Sequence, residues 1–519
     1  MTIVRAAVFA ALFLCSLAAA AFAQDVTLRS RDGSIALSGT LLGFDGEFYR
    51  VQTRYGELTV DGSGVSCTGV GCPSLTDYVA DVTISGSATI GRVLMPALIE
   101  GFARRGGMTA HRSGEVSGAV VYEVRDGGSD RLLGRFHLRI SDTDGGFADL
   151  LADEADMAMA LREIRPVEAA AAREAGLGDL LEPSRSRVLA LDAAVPVVAP
   201  GNPVDVVSIE ELVAVLSGQV TNWQALGGPD APITVHLRDS GSGAMQGLED
   251  RILAPVRQSV TESAVRHAGN LELVDAVVRD PFGLGIASYA EIGAAKPLTL
   301  QGSCGFQLRA ARRSIKTEDY PLTAPMFLYV PARRLPKLAR DFLAFSLSPP
   351  AQTVIREAGF VDQDPEEVSR DLQGDRLANA VMVAGEAGGL GTLQDMTRTL
   401  SAMQRLTATF RFETGSTRLD AQSRSNVLAL ARALEGGDYD GRRLVFVGFS
   451  DGVGPAPANL EIARRRAEAV RAAVATEAKS ADLEQVEIAV EAFGEAMPMA
   501  CDDSAWGRQV NRRVEIWVR

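Results

Sequence analysis

The strongest constraint on the fold lies near the C terminus, where an apolar strand, an acidic loop and an amphipathic helix follow one another. Residues 444–447 are all apolar, and the loop after them contains Asp451. Arg466 lies in the next segment, where apolar residues recur at helical spacing: Leu460, Ala463, Ala467, Val470 and Val474. A loop carboxylate beside a helix guanidinium suits a ligand that carries both an ammonium and a carboxylate group, since each charge meets its opposite.

This stretch resembles the OmpA-like peptidoglycan-binding domain over about residues 403–519. The resemblance rests on separate motifs in the family's order, which are the loop Ser450–Gly454, then Asn459, the helix pair Arg466-Ala467 and the strand Asn511–Glu515. Two departures are mild, since Ser450 replaces a Thr of the family and Ile462-Ala463 replace its Leu-Ser.

The resemblance implies that Asp451 and Arg466 hold the diaminopimelate of a peptidoglycan peptide stem. Asn459 and Arg512 are the further peptidoglycan-binding residues that it implies. The alternative interpretation is that residues 464–466 form a solvated arginine face of the helix and that Asp451 is an ordinary turn residue.

The N terminus predicts export. Arg5 precedes an apolar run from Ala6 to Leu17, and the small-residue motif Ala21–Ala23 follows as a cleavage site, so residues 1–23 are a predicted signal peptide. The run is too short to span a bilayer comfortably, and we expect no transmembrane segment in the mature chain. With the C-terminal resemblance, this predicts a periplasmic protein associated with peptidoglycan or the outer membrane.

Charge and cysteines narrow the partners further. The chain has 519 residues and a formal net charge of −14, which argues against nucleic acid as a partner. In an oxidising compartment we expect a disulfide between Cys67 and Cys72, which enclose a short glycine-rich turn. Cys304 and Cys501 belong to different predicted domains, and their pairing stays open.

The chain is too long for one hydrophobic core, and its patterns predict an α/β multidomain protein. After the signal peptide we expect a small β module over residues 24–75, whose function the sequence does not indicate. A bilobed α/β domain is expected over 76–364, and a helical, glycine-rich linker over 365–402. The OmpA-like α/β domain follows over 403–519.

The central region contains loops suited to oxyanions. Ser85–Gly91 follows a short strand and opens a helix, and Arg238–Ala244 repeats this arrangement. A third candidate loop is Ser141–Gly146. Free backbone N–H groups and the helix dipole favour anions at such positions.

This region resembles the periplasmic phosphate-binding proteins of ABC transporters across about residues 78–364. The matching motifs are Ser85-Gly86-Ser87, Gly218–Trp223, Arg238 with Ser242-Gly243, and Gly283–Tyr289. The resemblance implies two lobes that close on an anion, with contacts from Ser87, Ala88, Thr89, Ser141, Arg238, Ser242 and Gly243.

Two positions depart from that family. Ala244 stands where the family has a Thr, and Leu161 stands near the place of a carboxylate that accepts the proton of hydrogen phosphate. Arg162 preserves an Arg found in other relatives. Phosphate is the expected ligand, but discrimination against sulfate is unsupported unless another carboxylate, from Asp142, Asp144 or Asp239, supplies the acceptor.

The sequence therefore predicts an exported, peptidoglycan-anchored solute-binding protein that captures phosphate or a similar oxyanion, with an ABC permease or an envelope complex as a possible partner. One alternative is a structural cell-wall or outer-membrane-linking protein with a degenerate pocket. A cell-wall hydrolase is less expected, because the chain has only four His and lacks clustered metal ligands or a nucleophile motif. We expect no enzyme activity, metal or cofactor.

Overall fold

The computed structural model describes residues 25–74, 78–302, 304, 306–384, 389–413 and 418–519. The predicted signal peptide and four residues of the glycine-rich segment, 385–388, lie outside the described residues. No helix in the described ranges is long and apolar enough to cross a membrane.

The N-terminal sheet is antiparallel, in the order β4-β3-β2-β1-β5. Its strands are β1 Asp25–Ser30, β2 Ala36–Phe44, β3 Phe48–Thr53, β4 Gly56–Asp61 and β5 Val65–Thr68. The β2–β3 turn is stabilised by the Asp45 carboxylate, which accepts hydrogen bonds from the backbone N–H of Glu47 and Phe48, and Gly46 adopts a φ of 92° that favours glycine. The predicted Cys67–Cys72 disulfide is present at the end of this sheet.

The central unit, residues 78–364, alternates strands and helices. Its strands are β6 Ala80–Ser87, β7 Met108–Val116, β8 Ala119–Asp126, β9 Leu132–Ser141, β10 Met157–Ala160, β11 Ser186–Val198, β12 Val206–Ser208, β13 Thr234–Arg238, β14 Val265–His267, β15 Gly283–Ser288, β16 Lys296–Pro297, β17 Thr299–Gln301, β18 Gln307–Leu308 and β19 Thr323–Tyr329. Its helices are α1 Met95–Arg105, α2 Thr143–Leu151, α3 Pro166–Glu174, α4 Ile209–Leu216, α5 Gly243–Leu248, α6 Asn270–Arg279, α7 Arg312–Lys316, α8 Lys337–Ser346 and α9 Pro349–Glu357.

The long strand β11 connects two lobes. Its first half pairs with β19 and its second half pairs with β15. On one side of this crossing, β6–β10 pack a core that includes Phe136 and Phe342, and this is the first lobe. On the other side, β12–β18 pack a second core that includes Trp223, and this is the second lobe. The central unit is therefore bilobed.

The C-terminal unit is a five-stranded sheet in the order β20-β21-β24-β22-β23, covered by helices. The strands are β20 Glu367–Val368, β21 Gln404–Arg411, β22 Arg443–Phe449, β23 Glu487–Gly494 and β24 Arg513–Val518, and the helices are α10 Gly374–Val383, α11 Gly389–Leu400, α12 Ala421–Glu435, α13 Ala456–Glu477 and α14 Ala505–Asn511.

Two expectations from the sequence differ from the structure of the C-terminal unit. The segment 365–402 is predicted as a linker, but β20 pairs with β21, and α11 packs its apolar side against Trp517 of the sheet. Leu460 is predicted on the apolar face of α13, but it is 37% exposed, while Asn459 beside it is buried. The helix is therefore rotated slightly toward Asn459 relative to the predicted face.

A disulfide and a buried group of charges join the C-terminal unit to the second lobe. Cys304 and Cys501 form a disulfide, and this is the pairing that the sequence leaves open. We define the ion cluster as Asp319 of the second lobe together with Arg376, Arg405, Arg513 and Glu515 of the C-terminal unit. Arg405 Nη1 lies 2.6 Å from Asp319 Oδ2, and its Nε lies 3.4 Å from Glu515 Oε2.

Glu515 is fully buried, and Arg513 Nε lies 2.7 Å from its Oε1, while Arg376 also pairs with it. Burial alone would raise the pKa of the Glu515 carboxyl, but the three arginines outweigh burial and hold the pKa well below its ordinary value. Each charge of the cluster is thus stable only because its opposites are buried with it.

We expect Asp319→Ala to destabilise the protein by about 3–5 kcal/mol, because it leaves Arg405 buried without its main carboxylate partner. Asp395→Ala is the matched control, since it breaks an exposed pair with Arg398 and should cost less than about 1 kcal/mol. Urea unfolding of both variants measures the difference. Equal losses of stability in the two variants would contradict a buried ionic junction.

Candidate functional site

The first anion loop lies at the carboxyl end of β6, beside the end of the parallel strand β9. Ser87 and Ser141 are register partners there, so the two predicted serines lie side by side. Gly86 adopts a φ of 127°, and a Cβ at this position would lie 2.2 Å from Met159 O, so glycine is required for the loop to pass the neighbouring strand. Ala88 and Thr89 follow at the start of the next helical turn.

The second lobe brings its own loop against this edge. A Cβ on Gly243 would lie 2.0 Å from Thr143 Oγ1, so the start of α5 touches the start of α2. Ser242 caps α5, and its Oγ accepts a hydrogen bond from Met245 N. The structure therefore places the loops of Ser87, Ser141 and Ser242-Gly243 at one junction between the lobes.

Arg238 ends β13 next to this junction. Its Nη2 donates to Ala268 O at 2.9 Å, while its buried Nε has no hydrogen-bond partner in the described chain. Burial lowers the pKa of Arg238, the carboxylates of Glu291 and Asp239 oppose that shift, and the charge of Arg92 in the first lobe adds to it. Arg238 therefore offers an unpaired guanidinium N–H beside the junction, and such a group can form a charge-assisted hydrogen bond to an anion.

The positions that depart from the phosphate-binding pattern lie at the same junction. Leu161 is buried, and its backbone N–H donates to Thr143 Oγ1 at 3.2 Å. Its aliphatic side chain supplies no hydrogen-bond acceptor. Asp144 pairs with Arg162 and accepts a hydrogen bond from Gln246 at 2.7 Å. Since Gln246 lies in the second lobe, these contacts link the two lobes directly.

Asp142 is a candidate acceptor of the first lobe that lies near the second-lobe loop. Its Oδ1 caps α2 by accepting a hydrogen bond from Gly145 N, and its Oδ2 lies 3.2 Å from where a Cβ on Gly241 would stand. Its carboxylate therefore lies between loops of both lobes.

In the C-terminal unit, α13 packs directly on β22, because a Cβ on Gly448 would lie 2.0 Å from Ala463 O. This packing sets Asp451, in the loop after β22, beside the helix that carries Arg466. Asp451 Oδ2 lies 2.8 Å from Arg512 Nη1. Burial lowers the pKa of the Arg466 guanidinium, Arg512 lowers it further, and Asp451 opposes both. The structure thus brings Asp451, Arg466 and Arg512 together.

Asn459 is buried and donates to Glu495 Oε2 at 3.1 Å. Sequence reasoning missed Glu495 and also Asp502, which accepts hydrogen bonds from Gly452 N at 2.6 Å and from Asn511 Nδ2 at 2.8 Å. These bonds hold the Asp451 loop in place. No local sequence signal indicates them, because the partners lie in different loops.

Comparison with known proteins identifies the family. Residues 134–350 match the family described as the PBP superfamily domain, and residues 411–512 match the OmpA family. Protein SphX of Synechococcus elongatus is 30% identical over 236 residues, which cover 43% of this chain and 67% of SphX. The chain belongs to the PBP superfamily. It joins a phosphate-binding-protein-like PBP domain to a C-terminal OmpA-family domain.

Two further relatives are similar to the PBP domain. The phosphate-binding protein PstS of Borreliella burgdorferi is 25% identical over 186 residues, covering 34% of this chain and 66% of PstS. The crystal structure of an ABC-type phosphate transport receptor from Vibrio cholerae has a TM-score of 0.41 and 21% identity, and the match covers 54% of this chain and 99% of that chain.

Asp192 lies in β11, where the strand passes between the lobes of the PBP domain. It is 5% exposed and accepts hydrogen bonds from Ser288 Oγ and from the backbone N–H of Ala193 and Ala290. These bonds favour the ionised carboxylate, but burial outweighs them and raises the pKa of Asp192 to about 6.

We expect Asp192 to make the stability of the PBP domain fall as pH rises from about 4 to about 6. The unfolded chain releases this proton near its ordinary pKa of 3.8, whereas the folded chain keeps it up to about 6. Asp192→Asn removes the titration, so its stability relative to the unmodified protein should increase by about 2.4 kcal/mol between pH 4 and pH 7.

Urea unfolding at pH 4, 5, 6 and 7 measures that relative stability. Asp341→Asn is the control, because Asp341 is half exposed. A relative stability of Asp192→Asn that does not change with pH would contradict the raised pKa.

Proposed function

We propose that this protein is an exported receptor that captures phosphate or a similar oxyanion and is anchored to peptidoglycan. The observation that carries the receptor part is the meeting of the serine loops of both lobes beside Arg238. Hydroxyl and backbone N–H donors stabilise a tetrahedral oxyanion, and a guanidinium adds charge-assisted hydrogen bonds. A relative of the PBP domain that is named a phosphate-binding protein supports phosphate as the ligand.

The anchoring part is supported by the group of Asp451, Arg466 and Arg512. Asp451 can accept from an ammonium and Arg466 can bind a carboxylate, which is the combination that diaminopimelate presents. In the structure Arg512 neutralises Asp451, so a bound ammonium would share or replace that ion pair.

A specific observation favours the alternative of a structural envelope protein. The lobes are already bonded across the junction, because Gln246 accepts from Arg162 Nε at 3.1 Å and donates to Asp144. Direct side-chain bonds between the lobes are what a structural role predicts for this junction. The relatives named phosphate-binding proteins support binding rather than catalysis in either case.

We expect the full exported chain to bind sacculi that contain diaminopimelate. Arg466→Ala and Asp451→Ala should each weaken binding by about 1.5–3 kcal/mol, since each removes a charge-assisted contact. Arg464→Ala is the matched control, because Arg464 lies in the same helix and is exposed. Co-sedimentation with purified sacculi measures the affinity. Unchanged binding of both folded site variants would refute the anchor.

Calorimetric titration of the full chain with phosphate and with sulfate tests the receptor. Arg238→Ala should weaken binding more than Ser242→Ala, because it deletes a full charge in a desolvated place. With apolar Leu161 and Ala244 at the site, we expect weak discrimination between the two anions.

The outcomes of this titration separate the two candidate functions. No heat with either anion would leave the structural alternative. A strong preference for phosphate would show that an acceptor is present, and loss of that preference in Asp142→Asn would assign the role to Asp142.

A further inference from the structure

A chamber of about 750 Å³ lies where the two lobes and the OmpA-family domain meet. This volume is within the range of small-molecule binding sites. Each of the three bodies contributes walls, including Leu161 and Glu163 from the first lobe, Arg251 and Glu318 from the second lobe, and Arg411 and Trp506 from the OmpA-family domain.

The wall that the OmpA-family domain contributes to the chamber is fixed on the second lobe. The Cys304–Cys501 disulfide immediately precedes the segment that leads into α14, and Trp506 of α14 packs against the core of the second lobe. Arg405 is buried against Asp319 beside the chamber. Because covalent and ionic contacts both hold the OmpA-family domain on the second lobe, the walls that these two bodies contribute keep their relative positions.

One wall of the chamber is cationic. Arg251 Nη1 donates to the backbone oxygens of Pro321 and Thr323. Desolvation by the surrounding protein lowers the pKa of the Arg251 guanidinium, while the residue keeps an exposed surface where it lines the chamber.

Arg411 is 5% exposed, and within the described chain neither of its terminal nitrogens has a hydrogen-bond partner. Its closest charged neighbour is Glu318, with Arg411 Nη1 at 3.5 Å from Glu318 Oε2. Buried donors of this kind are normally satisfied, and a bound anion or an ordered water molecule is a usual reason for an exception.

Glu318 is unusual in its backbone conformation and in its unpartnered carboxylate oxygen, and its pKa is shifted as well. Its φ is 55°, a left-handed conformation that costs a non-glycine residue about 1 kcal/mol and tends to be kept at functional sites. Its Oε1 has no hydrogen-bond partner in the part of the chain that the structure describes. Burial raises the pKa of this carboxyl to about 8, so at neutral pH it adds little negative charge beside the two arginines.

The remaining walls are largely apolar. The apolar lining includes Pro255, Pro321, Leu322, Phe327 and Trp506, and the carboxylates of Asp250 and Asp420 also line the chamber. We propose that the chamber binds a small organic anion with an apolar body, whose acidic group lies against Arg251 and Arg411. The chamber borders the proposed oxyanion junction at Leu161 and Ala244 and the Asp451 site at Arg512. Arg251 and Arg411 belong to neither of those sites, and the chamber exists only where the OmpA-family domain is docked on both lobes.

The test uses the full chain and 8-anilinonaphthalene-1-sulfonate, an organic anion whose fluorescence increases in apolar sites. N-phenyl-1-naphthylamine has a similar apolar body without the sulfonate and serves as the neutral control. We expect one sulfonate dye per chain at saturation and at least about tenfold weaker binding of the neutral dye, since it forms no charge-assisted hydrogen bonds. This comparison needs no variant and is therefore independent of folding defects.

Arg251→Gln and Arg411→Gln should each weaken binding of the sulfonate dye by about tenfold or more. Arg279→Gln, on the exposed surface of α6, is the matched control and should leave binding unchanged. A crystal structure of the dye complex should place the sulfonate near Arg251. Absence of one-to-one binding, equal affinity of the neutral dye, or full affinity in folded Arg251→Gln and Arg411→Gln would overturn the proposal.

Discussion

Glu515 is a fully buried carboxylate that three guanidiniums hold, and its position decides how the OmpA-family domain sits on the PBP domain. Arg405 links it to Asp319 of the second lobe, so the charge balance of the C-terminal sheet is completed by another domain. A buried ionic group contributes little net stability, but it penalises every arrangement that separates its members. The docking geometry is therefore specific, and the nearby Cys304–Cys501 bond makes it covalent.

The local parts of both sites could be predicted from the sequence. Ser87 and Ser141 each follow a strand, and parallel strands bring their carboxyl ends to one edge, so these residues meet as the pattern implies. Asp451 and Arg466 meet because a strand, a loop and a helix adjacent in sequence also pack together. In each case the information is in short-range periodicity, which depends on hydrophobic burial within one unit.

The contacts between units could not be predicted, because no local pattern records them. Arg376 lies in a segment whose glycines indicate a linker, yet its guanidinium completes the ion cluster. The alternating charges of Arg513 and Glu515 in an apolar strand signal that partners are needed, but do not say which. The pairing of Cys304 with Cys501 spans 197 positions, and the chamber at the junction has walls from three bodies.

The same contacts constrain how the PBP domain can move. The OmpA-family domain contacts the first lobe as well, because Arg424 pairs with Glu163 at 3.2 Å and Arg432 donates to Leu347 O at 2.9 Å. It is bonded to the second lobe through Cys304 and Asp319. Any rotation of one lobe against the other therefore strains contacts to a body attached to both. A receptor that opens by hinge rotation has to bend or break the weaker of these two sets of contacts. The weaker set is the partly exposed contacts to the first lobe, because the disulfide and the buried ion cluster hold the second lobe. In a receptor of that kind, the first lobe, which carries Ser87 and Ser141, would be the one that moves relative to the OmpA-family domain.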